Sequence, residues 1–164
     1  MNDPAWSAQD TARTFLDDIS TLTLATCDGD HPWAATVFFA ADKQLNLYFV
    51  SDHRTRHGRD MASNAKVAVT INPDCDNWHA VRGLQISGKV EVVEGVERAK
   101  ALAIYLQKFP QIDALFASPK GEHEETIVAR LKAANFYKVK PGIVRVIDNE
   151  QGFGFREEFI PRVK

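Results

Sequence analysis

Hydrophobic and polar positions alternate in several short stretches of the chain, and this period of two is typical of strands that bury one face. The first stretch, residues 21–26, leads through the turn pair Asp28-Gly29 to residues 32–41, which are rich in β-forming side chains. A third alternating stretch follows at residues 45–50. The pattern therefore predicts a β-hairpin that a third antiparallel strand extends.

Five further stretches have the composition of strands, and the longest of them contains the glycines Gly83 and Gly88, which suggest bends. The turn pair Pro141-Gly142 separates two of the others. The predicted strands are residues 66–72, 81–93, 135–140, 143–148 and 153–159.

Apolar residues spaced three and four apart predict an amphipathic helix at residues 4–19, starting at Asp3-Pro4. A short helix is expected to begin after Thr55 as its N-cap and to end at Asn64. Residues 96–109 and 122–134 also look helical and form a helical insertion at about residues 95–134.

The order of these elements lacks the strand–helix–strand alternation that a parallel sheet requires. Antiparallel strands with short connections protect their edges by closing into a barrel. The sequence therefore predicts a mostly β fold, an antiparallel barrel of six to eight strands with flanking helices.

Length and composition predict one globular domain over residues 1–164, with 45% hydrophobic and 26% charged residues. The formal net charge of -2 gives no global positive field that would hold a nucleic acid or an anionic membrane. We therefore expect no nucleic-acid partner.

The longest nearly apolar run, residues 33–41, is about half of the ~20 residues that a membrane-spanning helix needs. Residues 1–4 have neither a basic start nor an apolar signal core, and only Cys27 and Cys75 could pair in a disulfide. No membrane association and a cytoplasmic location are expected.

Basic and hydroxyl side chains are concentrated between Ser51 and Arg59, where a predicted strand passes into a helix. The amides of a helix N-terminus and arginine side chains together suit a phosphate group. The alternative is a solvated loop whose arginines pair with Asp52 and Asp60. The basic residues of this stretch are His53, Arg54, Arg56, His57 and Arg59.

Other side chains that could carry chemistry have simpler explanations. His53 and His57 lie four residues apart, but a metal site needs a third converging ligand, so no metal is expected. Cys27 has no histidine positioned by sequence to activate it. Trp78 and His79 either cap a cofactor or a subunit contact, or pack on the surface.

The succession of several segments resembles the FMN-binding split barrels related to pyridoxamine 5'-phosphate oxidase. The likeness covers residues 20–93 best and returns in the closing strands. The segments, for example Leu24-Ala-Thr-Cys-Asp-Gly-Asp-His-Pro-Trp33, are residues 24–33, 47–51, 55–67, 82–91 and 136–148.

The resemblance implies that the backbone of the second strand runs along the flavin ring and ribityl chain, and that the end of the third strand also contacts the cofactor. A glutamine of the fifth strand serves relatives as well; the aligned position here is Gly83, and Gln85 lies on the same face. The residues implied are Ala35, Thr36, Val37, Phe49, Val50, Ser51 and Gln85.

In the family, a hydroxyl residue followed by Arg and Lys binds the 5'-phosphate, and the matching residues here are Thr55, Arg56 and His57. His57 replaces a permanent charge, which makes phosphate affinity sensitive to pH near the ordinary histidine pKa of about 6.5. Arg54 is available to compensate.

The resemblance further implies a homodimer with the cofactor between subunits, and a small-molecule substrate. The C-terminal residues 153–164 lack the Trp- and Arg-containing segment of the true oxidase, so oxidation of pyridoxamine phosphate is not implied. The leading hypothesis is an FMN-dependent oxidoreductase. A non-catalytic flavin- or haem-binding sensor and a cofactor-free interaction dimer are the alternatives.

Overall fold

The computed structural model describes residues 6–161. Its strands form one antiparallel sheet in the order β3-β2-β1-β4-β5-β6-β7, and β6 also pairs with β3, which closes six strands into a barrel. The strands are β1 (Thr21–Asp28), β2 (His31–Ala41), β3 (Leu47–Ser51), β4 (Lys66–Ile71), β5 (Arg82–Val93), β6 (Asn135–Asp148) and β7 (Arg156–Phe159). The predicted antiparallel barrel with flanking helices is confirmed.

Helices contribute about as much of the fold as strands, which is more than the sequence pattern predicted. The extra segment is α4, which begins at Pro110 immediately after α3. Among residues 6–161, no helix is long and apolar enough to cross a membrane. The α-helices are α1 (Ala8–Asp18), α2 (Arg56–Ser63), α3 (Gly95–Lys108), α4 (Pro110–Ala117) and α5 (Gly121–Ala133), and a 3₁₀ turn spans Trp78–Ala80.

Local turn chemistry fixes the first elements largely as predicted. Gly29 has a φ of +59° in the hairpin turn between β1 and β2, a conformation that glycine adopts at little cost. The start of α1 differs, because Ser7 accepts a hydrogen bond from the Asp10 amide and caps a helix that begins at Ala8. The proposed start at Asp3-Pro4 lies outside the described residues.

The third strand begins later than its apolar pattern suggested. Leu45 has a φ of +66°, which is not a strand conformation. The Asp42 carboxylate holds this turn by accepting hydrogen bonds from the amides of Gln44 and Asn46 at 2.9 and 3.0 Å. The buried Leu45 therefore packs into the core from a turn, and β3 starts at Leu47.

The predicted turn at Pro141-Gly142 is wrong, because β6 runs through it as one strand. Opposite it, Ser87 pairs with Ile143 and Gly88 pairs with Pro141, so Gly142 is the extra residue of a β-bulge. A Cβ on Gly88 would lie 2.5 Å from the Lys140 carbonyl oxygen, so only glycine permits this close approach. Such a bulge bends the strand, and β6 pairs with β3 before the bulge, through residues 135–139, and with β7 after it, through residues 144–147.

Alternate residues of each barrel strand fill the interior, and each large apolar side chain buried there contributes about 1.5–3 kcal/mol. A second cluster lies outside the barrel, where α3 places Ala101 and Tyr105 against Tyr48 and Phe136. The interior residues include Leu22, Leu24, Phe39, Leu47, Phe49, Val67, Val69, Ile71, Leu84, Ile86, Val139, Val144 and Val146. The helical segment thus covers one side of the barrel and leaves α2 at another position on its wall.

Candidate functional site

The basic segment lies where β3 passes into α2. Strand β3 ends at Ser51 and α2 begins at Arg56, as the sequence predicted. The Thr55 hydroxyl caps the helix by accepting a hydrogen bond from the Gly58 amide at 3.1 Å, and it donates to the Asp52 carbonyl at 2.7 Å. Both capacities of this hydroxyl are therefore committed to shaping the turn.

Gly58 allows the turn to fold tightly against the helix. A Cβ at this position would lie 2.7 Å from the Asp52 carbonyl oxygen and 2.8 Å from that of His53. Both atoms belong to the backbone, so a side chain here would force the turn to move. The turn that precedes the helix therefore depends on glycine.

Ser51, Thr55 and His57 converge in front of this helix end. The Ser51 Oγ lies 2.6 Å from His57 Nε2 and 3.5 Å from Thr55 Oγ1. All three residues are half-buried. Burial lowers the pKa of His57 below its ordinary value, and the Asp60 carboxylate offsets part of that shift. The imidazole is therefore neutral at pH 7 and hydrogen-bonds to a hydroxyl.

An ion pair with Asp60 on the same helix holds the Arg56 side chain in place. Its Nε donates to Asp60 Oδ1 at 3.3 Å, and the buried Asp60 also accepts from Thr26 Oγ1 at 2.8 Å. The guanidinium carbon lies 5.2 Å from the centroid of the Trp33 ring, which is 45% exposed. Within the described residues, the two terminal amino groups of Arg56 have no acceptor, so they remain available to an anion.

Arg54 is engaged elsewhere. Its guanidinium forms hydrogen bonds of 2.6 to 3.1 Å with the Asp52 carboxylate, and its side chain is 77% exposed. These bonds hold the pKa of Asp52 well below its usual range. Arg59 donates to the Arg54 carbonyl at 2.5 Å. The expected pairing of arginines with Asp52 and Asp60 is present, yet it leaves the Arg56 amino groups open.

The predicted residues of β2 divide between two faces of the sheet. Ala35 and Val37 pair with Leu24 and Leu22 and share their inward face. Thr36 points outward and is exposed. This segment can offer a ring its backbone edge and small outward side chains, but not the side chains of Ala35 and Val37.

Gln85 lies on the same outer face as Thr36 but far from it. The register aligns Thr36, Thr23, Thr70 and Gln85 across β2, β1, β4 and β5. Three strand spacings therefore separate Gln85 from Thr36, roughly 14 Å. The side-chain oxygen Oε1 of Gln85 accepts a hydrogen bond from Arg145 at 3.2 Å. Within one subunit the structure does not bring Gln85 to the α2 cluster.

Phe49 and Val50 differ in burial. Phe49 is fully buried and stacks on Tyr137, with ring centroids 5.2 Å apart. Val50 is half-buried and packs against the second hydrophobic cluster on the helical side. Only the backbone of Phe49 could contact a ligand, whereas part of the Val50 side chain stays accessible.

The sequence pattern did not reveal how Arg56 is positioned. Thr26 and Asp60 are far apart in sequence, so no local motif connects them. The alternation of β1 could have shown that Thr26 faces inward, since it follows Leu22 and Leu24 on the same face. A buried hydroxyl in such a row requires a polar partner.

Comparison with known proteins agrees with this architecture. The family model described as pyridoxamine 5'-phosphate oxidase matches residues 8–138. A UPF0306 protein of Klebsiella pneumoniae (strain 342) is 30% identical over 134 residues, covering 81% of this chain and 80% of the relative.

Solved structures share the fold at low sequence identity. A haem-binding protein from Mycobacterium smegmatis superposes with a TM-score of 0.73 at 21% identity, covering 98% of this chain and 60% of the other. A putative pyridoxamine 5'-phosphate oxidase from Listeria innocua gives a TM-score of 0.65 at 18% identity, covering 87% and 99%. With the family match over most of its length, this chain belongs to the pyridoxamine 5'-phosphate oxidase family of split barrels.

Proposed function

We propose that the protein binds FMN at the start of α2 and acts as an FMN-dependent oxidoreductase on a small-molecule substrate. The observation that carries the proposal is the capped N-terminus of α2, where Ser51 and His57 are in contact and where Arg56, in the first turn, keeps its terminal amino groups free of acceptors within the described residues. Helix amides and a guanidinium are the donors that bind phosphate most effectively. Family membership supports the choice of ligand.

The donor set suits a phosphate dianion. Among residues 6–161, the amides of Arg56 and His57 have no hydrogen-bond acceptor, because they belong to the first turn of the helix. The Gly58 amide is already capped by Thr55. Thr55 therefore shapes the site, whereas the two amides, Ser51, His57 and the Arg56 amino groups supply the donors.

The ring of the flavin would extend from this phosphate along β2. Trp33 lies beside Arg56 on the face of β2 that also carries Ala35 and Val37 and offers an exposed aromatic surface, whereas Thr36 lies on the opposite, outer face of the strand. Bound FMN would supply hydride and electron transfer chemistry, as flavins do. The residues of the chain would fix its phosphate, orient its ring and exclude water.

A second copy of the chain is proposed to cover the outer face. The row of Thr23, Thr36, Thr70 and Gln85 is exposed, with small or neutral side chains. A twofold axis across this face would pair it with itself, as in most homodimers. The same arrangement would bring Gln85 of the partner subunit toward β2, which one subunit cannot do.

A haem-binding sensor is the second candidate, and the state of His57 favours it. A neutral imidazole is a common axial ligand of haem iron, and burial keeps His57 neutral. The haem-binding protein of similar fold adds support. Ligation through Nε2 would require His57 to leave Ser51.

The visible spectrum of the purified protein, with the released cofactor identified by mass, distinguishes the two candidates. A flavin spectrum, with reduction by nicotinamide cofactors or electron transfer to quinones or oxygen, supports the oxidoreductase. A Soret band supports the haem sensor. A colourless protein that takes up neither ligand contradicts both.

Substitution Arg56→Ala tests the phosphate site directly. It should weaken FMN binding at least about tenfold, since a charge-assisted contact contributes about 1.5–3 kcal/mol, and should hardly affect riboflavin, which has no phosphate. Fluorescence titration measures both affinities. Arg130→Ala, an exposed arginine of α5, is the matched control and should change neither. Equal losses for FMN and riboflavin would assign Arg56 another role.

A further inference from the structure

We propose that the anion site at α2 is proton-linked: when it holds a phosphate dianion, His57 exchanges its hydrogen bond to Ser51 for one to the anion, and the protein takes up a proton. The inference deepens the proposed function and rests on it for the identity of the natural ligand. It concerns regulation of the site by pH, and it can be tested with phosphate alone.

The geometry provides a partner for His57 in the absence of an anion. Its Nε2 lies 2.6 Å from the Ser51 hydroxyl, which can donate to a neutral imidazole. The Ser51 Oγ in turn lies 3.5 Å from Oγ1 of Thr55, the N-cap residue of α2. An anion at the helix amides would be next to both Ser51 and His57, and each could then donate to it.

Burial favours a neutral imidazole in the free site, because the charges near His57 are largely paired with one another and only Asp60 offsets part of the effect, whereas a bound anion would favour the charged form. On its own helix, Arg56 and Asp60 form an ion pair, so their charges partly offset each other. In the preceding turn, Asp52 and Arg54 form another. The strand partners Ser51 and Asn135 and, on β1, Thr26 are neutral.

The consequence follows from linkage. Burial lowers the pKa of His57 in the free protein, and an adjacent dianion raises it because it stabilises the charged imidazole. At a pH between the His57 pKa of the free site and that of the anion-bound site, the binding of each anion is accompanied by the uptake of up to one proton. Affinity then increases as pH falls through this window, by up to about tenfold per pH unit. Protonation of the phosphate itself, with a pKa of about 6, opposes this trend at lower pH.

Titration calorimetry of FMN binding measures the exchanged proton. At one pH near 7, the observed enthalpy should change with the ionisation enthalpy of the buffer and show uptake of a fraction of a proton, up to one, per site. In His57→Lys, which is charged in both states, and in His57→Gln, which cannot titrate, uptake by this residue should vanish. FMN binding without any proton uptake by the wild-type protein across pH 6–8 overturns the inference and leaves the proposed function intact.

A second measurement uses inorganic phosphate and is independent of flavin. The imidazole NMR signals of His57, assigned by their absence in His57→Gln, should titrate at a higher pH with saturating phosphate than without it. His31, which is exposed near the β1–β2 turn, is the internal control and should not change. An unchanged or lowered His57 pKa in phosphate overturns the inference. A raised pKa in a protein that does not bind FMN supports the proton-linked site and contradicts the proposed function.

Discussion

Cationic side chains lie at the C-terminal end of α1 and at the N-terminal end of α2, and the chain uses them differently. At the C-terminal end of α1, Lys108 donates to the carbonyls of Leu16 and Ile19 at 2.7 and 2.6 Å. Its ammonium lies 4.1 Å from the centre of the Phe39 ring. At the N-terminal end of α2, Thr55 caps one amide, and Arg56 keeps its terminal amino groups free of acceptors within the described residues.

The difference separates a structural contact from a binding site. The donors of Lys108 are directed to backbone carbonyls and to an aromatic face, so its charge closes the end of α1 against the barrel. A cavity of about 290 Å³ lies beside it, but the amine is already engaged there. Burial lowers the pKa of Lys108 to about 8. At α2, by contrast, the Arg56 amino groups and the first-turn amides of Arg56 and His57 have no acceptor within the described residues.

The largest effect is expected from Gly58→Ala, which changes the N-terminal end of α2, where hydrogen-bond donors are unpaired. The new Cβ would collide with two backbone carbonyls, displace the turn and cost about 1–3 kcal/mol of unfolding free energy. FMN affinity should fall at least about tenfold, because the amides and Ser51 no longer converge.

Denaturant unfolding and FMN titration check both effects. Gly142→Ala is the matched control, since a Cβ there would lie 3.5 Å from the Ser87 carbonyl oxygen, an ordinary contact. If Gly58→Ala bound FMN with unchanged affinity, the tight turn would not be needed for the site.

Lys108→Met removes the cation at the C-terminal end of α1 and should lower stability without changing FMN binding. Loss of the ammonium leaves two carbonyls at the end of α1 without their donor, which should cost about 1–3 kcal/mol of unfolding free energy. FMN affinity should stay within about twofold, because the residue is not part of the α2 site. Thermal unfolding and FMN titration test the separation.

Lys132→Met, an exposed lysine of α5, is the control and should change stability by no more than about 0.5 kcal/mol. A Lys108→Met protein that lost FMN binding while remaining folded would show that the two helix ends are coupled.

The smallest effect concerns the acid stability of the ligand-free protein. Because the pKa of His57 is lowered in the folded state, the unfolded chain binds more protons at a pH between the folded and unfolded values. Folding stability should therefore fall as pH decreases below about 6.5, the ordinary histidine pKa. In His57→Gln the loss of melting temperature between pH 7 and pH 5 should be smaller. An equal or larger loss would mean that His57 is not disfavoured as a cation in the free site.

The sequence predicted features that depend on neighbouring residues. Thr55 caps α2 and Asn64 follows its end, because both effects act within one helical turn. The hairpin at Gly29 is equally local. The pairing of Arg54 with Asp52 was also foreseeable, since only one residue, His53, lies between them.

Features that depend on distant partners were not predictable in this way. Pro141-Gly142 has the composition of a turn, and only the bulge opposite Gly88 in β5 shows why the strand continues. The burial of Phe49 follows from its stacking on Tyr137, which belongs to β6, a strand that lies far along the chain. Arg56 owes its orientation to Asp60 and, through it, to Thr26.

The position of β6 in the sheet determines when the protein can fold during its synthesis. This strand pairs Val139 with Leu47 of β3, and residues 82–93 of β5 lie along its other edge. A nascent chain that has only released β1 to β5 from the ribosome therefore leaves β3 and β5 with unpaired edges, which can associate with other chains. The edges of β3 and β5 are covered only after β6, which ends at Asp148, has emerged from the ribosome and paired with both strands.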